Sequence, residues 1–252
     1  MRYSAWYLIV NADHLLAAIF ADTDQPLAVQ CGRWIRSSRR FRSFVETYRD
    51  KIRKKVRQAR DAQGLRDLRC ELAVAFLLLD ARELEVAYEL ATPGNRGGPD
   101  FTVVYKTHTP VQVEVKRLRA RAPGQEHIAT ASTKILNALG DKFAQMSSGA
   151  INVLVLFVDR AETSDSAAPD LLATMRTVQE RIMAQDDAFF VGRGFGGVRA
   201  FIHASQPLSA IVLRTEEPAA AALWRNPAAR HRLPAGAATV LQRCLAADDS
   251  LP

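Results

Sequence analysis

Cysteine is scarce in this sequence, and its placement excludes two classes of site. Only three cysteines occur among the 252 residues, and they stand far apart at Cys31, Cys70 and Cys244. An odd number at such spacing provides neither a disulfide framework nor a close pair of metal ligands. A secreted domain stabilised by disulfides is therefore excluded, and the protein is expected in a reducing compartment.

Long apolar runs are also lacking. Residues 5–20 are rich in apolar side chains, but Asn11, Asp13 and His14 interrupt them. The uninterrupted part falls short of the roughly 20 apolar residues that a membrane-spanning helix needs. Arg2 stands alone before this stretch and no small-residue cleavage site follows it, so a secretory signal is not expected either. We therefore predict a cytoplasmic protein with no membrane partner.

Acidic residues are depleted from one stretch of the chain. The net charge is +7, yet residues 33–60 contain twelve Lys or Arg against Glu46 and Asp50, a local charge of +10. The rest of the chain consequently carries −3. This asymmetry favours a polyanionic partner, because neutralising phosphates releases condensed counterions. A solvated helix face explains the same charge without a partner, and charge alone does not separate the two interpretations.

The basic stretch has the periodicity of an amphipathic helix over residues 39–60, which Gly64 is expected to end. Arginines and lysines fill the positions between its apolar residues, so one face packs and the other is strongly basic. The apolar positions are Phe41, Phe44, Val45, Tyr48, Ile52 and Val56. The cations predicted to face solvent and to bind a nucleic-acid backbone are Arg53, Lys54, Lys55 and Arg57.

A second helix is predicted over residues 65–82, and it carries a carboxylate on its inward side. Glu71 lies among Leu68 and Leu72 in that pattern. A carboxylate in such surroundings is costly unless a cation meets it. The alternative interpretation is a charge at the helix edge that reaches water.

The rest of the chain alternates strands and helices, which predicts an α/β fold with a mixed central β-sheet flanked by helices. Strands are predicted at residues 84–89, 101–105, 111–118, 151–158, 198–203 and 210–214, and the run 151–158 is typical of a strand buried on both faces. Helices are predicted at residues 126–146, 169–184 and 237–245. The expected organisation is a basic helical segment over residues 1–64, a core over 65–217, and a C-terminal extension packed on that core over 218–252.

Polar residues follow one face of the strand predicted at 111–118. Side chains alternate along a strand, so three valines point into a core while Gln112, Glu114 and Lys116 point the other way. The hairpin can bring Asp100 across from Glu114, and Glu71 could approach from its helix. Converging carboxylates repel one another, and a hard divalent cation relieves that repulsion. The pattern therefore predicts a Mg²⁺ site.

The order of these residues resembles the PD-(D/E)XK, or restriction-endonuclease-like, superfamily of nucleases. Pro99-Asp100 matches the PD element, and Glu114-Val115-Lys116 matches the (D/E)XK element, with a short hairpin between them. Glu71 matches the acidic residue that many members carry on the helix before the core sheet. The resemblance covers roughly residues 65–159, and it implies a restriction-endonuclease-like fold.

The resemblance also implies a role for each residue. Asp100, Glu114 and the main-chain carbonyl of Val115 would hold Mg²⁺, with Mn²⁺ as a substitute, and Glu71 would support that metal or a second one. Lys116 would orient or activate the attacking water and neutralise developing charge. The implied reaction is in-line hydrolysis of a phosphodiester.

Plainer interpretations of these positions stay open. Glu114 and Lys116 could form a cross-strand surface ion pair, and Asp100 could be a turn residue. Lys142 and Gln145, on the helix after the motif, match positions where some members contact phosphate or metal-bound water. Both are also compatible with an ordinary helix surface.

Three function classes follow. The leading prediction is a Mg²⁺-dependent endonuclease or exonuclease that acts on DNA rather than RNA. The others are a non-catalytic nucleic-acid-binding module and a subunit whose basic helix docks an acidic protein. A homodimer or a protein partner is compatible with each.

Overall fold

The computed structural model describes residues 12–90, 98–119, 131–158 and 169–249. The chain divides into two compact units. Met1–Arg82 together with Asp248–Pro252 is the helical unit, and Glu83–Ala247 is the sheet unit. The boundaries of these units differ from those of the predicted division into 1–64, 65–217 and 218–252. Within the described ranges, no helix is long and apolar enough to cross a bilayer.

The helical unit packs around a buried aromatic cluster. Trp34 is fully buried and stacks on Phe76 at 5.4 Å between ring centroids, while the edge of Phe41 meets both rings. The indole Nε1 donates to the backbone oxygen of Asp249 at 2.9 Å, which gives the one polar atom of this side chain a partner. The helices of the unit are α1 (residues 12–19), α2 (Pro26–Ser37), α3 (Arg39–Gln58) and α4 (Ala62–Asp80).

Helix α3 is the predicted basic helix. The Ser38 side chain caps its first turn by accepting from the Phe41 amide. Its buried side chains, Phe41, Phe44, Val45 and Ile52, belong to the predicted apolar face. Non-helical backbone angles at Tyr48 put a kink in the middle of the helix.

The expectation that Gly64 ends this helix is wrong. α3 ends at Gln58, and Gly64 lies in the first turn of α4. The Asp61 side chain caps α4 by accepting from the Gly64 amide at 2.8 Å. The chain therefore turns at residues 59–61, and the second helix starts three residues earlier than predicted.

The sheet unit is built on a six-stranded mixed sheet in which the strands follow one another in chain order. β1 to β3 and the last pair run antiparallel, while β3, β4 and β5 are parallel neighbours. The strands are β1 (Leu84–Tyr88), β2 (Phe101–Tyr105), β3 (Thr109–Arg117), β4 (Ile151–Val158), β5 (Leu208–Thr215) and β6 (Ala220–Arg225). The helices are α5 (Ala131–Phe143), α6 (Leu171–Met183), α7 (Asp187–Val191), α8 (Val198–Ser205) and α9 (Ala235–Leu245). The prediction of an α/β fold with a mixed sheet flanked by helices is confirmed.

Strand β4 is buried on both faces, as its continuous apolar run predicts. On one face, Leu154 and Leu156 join Ile211 and Leu213 of β5 in a core with apolar residues of α5 to α8. On the other face, Arg214 of β5 is completely buried. Its guanidinium lies over the Phe157 ring and donates to the carbonyls of Leu245 and Ala247 at 2.6 and 2.9 Å. A cation at the C-terminal end of α9 also meets the negative end of the helix dipole.

Two elements of the sheet unit differ from the prediction. Residues 198–203, predicted as a strand, belong to helix α8. Its apolar residues Val198 and Phe201 are three positions apart, which fits helical spacing but not strand alternation. At the start of the helix the Asp187 side chain accepts a hydrogen bond from the Val198 amide at 2.8 Å. Strand β6 was not predicted, because alanine has low strand propensity and pairing with β5 stabilises it instead. The predicted helix at 126–146 is described from Ala131 and ends at Phe143.

The buried Arg214 generates a stability prediction. Arg214→Met leaves two carbonyls at the end of α9 without their charged donor, and we expect the free energy of unfolding to fall by about 3 kcal/mol. Urea unfolding followed by circular dichroism measures the change. Arg199→Met, on the exposed surface of α8, is the control and should stay within about 0.5 kcal/mol of wild type. Equal losses in the two variants would contradict the assigned role.

Candidate active site

Buried and half-buried side chains alternate along β3, as the sequence predicts. Val111, Val113 and Val115 are buried, while Glu114 and Lys116 are half-buried on the opposite face. β3 pairs with β2 on one side and with the buried strand β4 on the other. The backbone is therefore fixed on both sides, and the two polar side chains are held on one face at a spacing of two residues.

Asp100 stands immediately before β2 and is tied to both neighbouring strands. The register pairs Phe101 with Val113, so continuing it by one step sets Asp100 opposite Glu114. The Asp100 Oδ2 atom accepts from the Val115 amide at 2.8 Å, and its backbone oxygen accepts from the Glu89 amide at 2.9 Å. The predicted neighbourhood of Asp100 with the Glu-Val-Lys segment is confirmed. Asp100 also lies in a bend, so the alternative of a turn residue describes its backbone while its side chain contacts β3.

Helix α5 places a second lysine, Lys142, beside the polar face of β3. The Lys142 ammonium donates to Glu114 Oε2 at 2.8 Å and to Gln145 Oε1 at 3.2 Å. The side chains of Lys142 and Glu114 are only 17% and 15% exposed, so this pair is largely shielded from solvent. Lys142 is therefore largely buried beside β3, whereas Gln145 is exposed in the turn that follows α5. Lys142 shares hydrogen bonds with Glu114 and Gln145.

A fifth charged residue, Asp141, was missed by the sequence analysis. Its carboxylate lies 3.6 Å from the Lys116 ammonium, with both side chains substantially exposed. The two ion pairs cross between β3 and α5, because each element supplies one acid and one base. The adjacent Asp141-Lys142 dipeptide on a helix after the motif is the signal that could have indicated them. The alternative in which Glu114 and Lys116 pair with each other is not what the structure has, since each pairs with this dipeptide instead.

Glu71 belongs to the helical unit, where it has a cation of its own. The Lys55 ammonium of α3 lies 2.6 Å from Glu71 Oε2, and the two side chains are 24% and 17% exposed. The requirement for a cation beside this half-buried carboxylate is thus met within the unit. The expectation that Lys55 faces solvent is wrong, because the pairing draws it toward α4. Arg53, Lys54 and Arg57 are exposed as predicted.

Asp100 and Glu114 are the two carboxylates that this face of the sheet unit offers to a divalent cation. In the described ranges, no three His, Cys, Asp or Glu residues converge on one point. Mg²⁺ does not need such a cluster, since it commonly takes one or two carboxylates and completes its shell with water and substrate phosphate. Asp100 and Glu114 provide that pair, and Val115 contributes the intervening backbone. Cysteine is not part of this donor set: all three cysteines are buried, and burial raises the pKa of the Cys31 thiol to about 12.

Comparison of the chain with protein-family models, with curated proteins and with solved structures gives no match. The resemblance to the PD-(D/E)XK superfamily therefore rests on Asp100, Glu114 and Lys116 and on their positions in the sheet. It stays a prediction.

The Lys55–Glu71 pair generates a second stability prediction. Both side chains are less than a quarter exposed, so a double-mutant cycle of Lys55→Ala and Glu71→Ala should give a coupling of about 1 kcal/mol in urea unfolding. Lys54→Ala, one residue away and exposed, is the matched control and should show no coupling to Glu71→Ala. A Lys54 cycle with the same coupling would show that general charge, rather than this pair, is being measured.

Proposed function

We propose that this protein is a Mg²⁺-dependent nuclease that hydrolyses phosphodiester bonds in DNA. The observation that carries the proposal is the hydrogen bond from the Val115 amide to Asp100. It fixes the Asp100 carboxylate against the strand segment that presents Glu114 and Lys116 on a single face. Two carboxylates and an ammonium group in this order are the donor set that a hydrolytic phosphate site needs.

Each residue has a distinct task in the proposed reaction. Asp100, Glu114 and the Val115 carbonyl would hold Mg²⁺, which when bound supplies a positive centre for the charge that builds up on the phosphate. Lys116 orients the attacking water and donates hydrogen bonds to a phosphate oxygen. Glu71 lies in the helical unit with Lys55 as its counter-ion, and it has no task in the proposed reaction of the sheet unit. Water attacks phosphorus in line with the leaving oxygen and loses one proton to solvent, while the P–O bond breaks and the leaving oxygen takes up one proton from solvent.

The basic helix α3 is the proposed backbone clamp. Arg53, Lys54 and Arg57 are exposed, and none of them forms an ion pair with a residue that the structure describes. Exposed cations of this kind add little stability. They can contact phosphates at many positions, and phosphate contacts carry no base information. The proposed binding is therefore independent of DNA sequence.

One observation favours the non-catalytic alternative. Glu114 and Glu71 each have a lysine within 2.8 Å, so both carboxylates are neutralised by the chain itself. A nucleic-acid-binding or partner-docking module could keep such pairs purely for structure. A measurement of metal binding distinguishes the two functions. Only the nuclease requires that a divalent cation compete with a lysine for the Glu114 carboxylate.

The carboxylate pair yields the catalytic prediction. Asp100→Asn and Glu114→Gln should each lower Mg²⁺-dependent cleavage by roughly 1,000-fold or more, because several kcal/mol of charge stabilisation is removed while the packing is kept. Plasmid and linear DNA incubated with Mg²⁺ or EDTA measure the rates. Glu85→Gln, an exposed carboxylate on β1, is the matched control and should cleave like wild type. A wild type that cleaves neither substrate with Mg²⁺, or variants that cleave normally, would overturn the proposal.

The basic helix yields a binding prediction. Changing Arg53, Lys54 and Arg57 together to Gln should weaken binding similarly for unrelated duplexes. The slope of log affinity against log salt should become shallower by about 0.9 for each phosphate that the variant no longer neutralises. Lys55 is left unchanged, because its removal would also break the pair with Glu71. Fluorescence anisotropy from low to moderate salt measures both effects.

The control for this experiment removes the same charge from the sheet unit. It changes three exposed arginines, Arg176, Arg199 and Arg232, to Gln. The control should change the salt slope less than the α3 variant does. Equal slopes in the two triple variants would mean that net charge, rather than α3, attracts the DNA.

A further inference from the structure

The carboxylate of Glu114, which is the proposed metal ligand, already forms an ion pair with a lysine of the same chain. The Lys142 ammonium is 2.8 Å from Glu114 Oε2, and both side chains are at least four-fifths shielded from solvent. Lys116 is not the residue that makes this contact, since its ammonium is 3.6 Å from Asp141. The counter-ion of Glu114 is therefore Lys142 of α5. Lys116, on the same face of β3, is more exposed to solvent.

An ammonium this close to a carboxylate opposes the binding of any second cation. The effect is known best for protons, where a cation within a few ångströms lowers a carboxyl pKa by about one to three units. A divalent metal ion meets the same repulsion, which grows with its higher charge. The shielding of the pair from solvent keeps the repulsion from being screened by salt.

Lys142 has a second oxygen acceptor within reach. Its ammonium lies 3.2 Å from Gln145 Oε1, and the Gln145 side chain is held by a bond from its Nε2 to the Asp141 carbonyl. Lys142 also lies in the last turn of α5, where the helix dipole favours a cation. The ammonium can therefore leave Glu114 without becoming unpartnered, because Gln145 and the helix end remain beside it.

We propose that Lys142 is an exchangeable counter-ion that holds Glu114 in the metal-free protein and passes to a substrate phosphate when a divalent cation binds. The inference rests on the proposed function, since it requires a metal at Asp100 and Glu114. It makes Lys142 a positioning residue that links two binding events. Metal binding releases an ammonium for the phosphate, and by thermodynamic reciprocity the phosphate then tightens the metal.

The first test measures metal affinity directly. Mn²⁺ is titrated into the full chain by isothermal calorimetry, without DNA, for wild type, Lys142→Gln and Lys142→Arg. Removing the competing charge should tighten Mn²⁺ binding on the order of tenfold in Lys142→Gln. Lys142→Arg keeps the charge and should bind like wild type. The control is Lys134→Gln on the same helix, which makes no ion pair with any described residue and should also bind like wild type.

The second test measures the link between metal and phosphate. DNA affinity is compared in Ca²⁺ and in EDTA by anisotropy, so that binding is read without relying on cleavage. Wild type should gain more affinity from the metal than Lys142→Gln does, because only wild type has an ammonium to release. A purely structural role for Lys142 would lower stability without changing this ratio. Thermal melts in EDTA report folding, and Lys142→Met, which keeps the aliphatic stem, replaces Lys142→Gln if the latter unfolds.

The outcomes separate the two proposals. If wild type and Lys142→Gln both fail to bind Mn²⁺, the proposed nuclease and this inference fall together. If wild type binds Mn²⁺ and cleaves DNA, but Lys142→Gln binds Mn²⁺ equally or more weakly, the inference alone is overturned. Tighter Mn²⁺ binding in Lys142→Gln with a smaller metal effect on DNA supports the inference.

Discussion

The pairing of β3 with the buried strand β4 is the constraint on which the rest of the sheet unit depends. β4 is buried on both faces, and β3 alternates valines with polar residues, so only one register of β3 beside β4 keeps the valines in the core. A slip by one residue would bury Glu114 and expose three valines. The core therefore fixes the orientation of the polar face, and the hydrogen bond from the Val115 amide to Asp100 and the ion pairs to α5 form on the face so oriented.

The features that the sequence predicts correctly are those with local periodicity. The continuous apolar run of β4, the alternation along β3 and the helical spacing in α3 each depend on neighbours within a few residues. α8 and β6 were missed for the opposite reason: their local patterns are weak, and a cap from Asp187 or pairing with β5 decides them. Boundaries set by a single cap, such as that of α4 at Asp61, were also missed.

The partners of the acidic residues could not be predicted for a related reason. Periodicity places Glu71 and Glu114 on the correct faces, but it does not say which cation crosses from another helix. Lys55 and Lys142 are 16 and 28 residues away in sequence from the carboxylates they meet. Both lysines looked like surface residues, because a lysine is usually exposed. In each unit, a half-buried carboxylate is neutralised by a lysine from the neighbouring helix rather than by solvent.

The kink at Tyr48 divides α3 into two parts whose side chains have different surroundings. The first part carries Phe41, Phe44 and Val45 into the core, while the second part buries Ile52 and exposes Arg53, Lys54 and Arg57. Substitutions in the second part alter surface charge with little effect on the packing of the first. Its exposed positions can therefore take a different charge without a change in the scaffold, whereas Ile52 and Lys55 on the same half-helix are tied to the core and to Glu71.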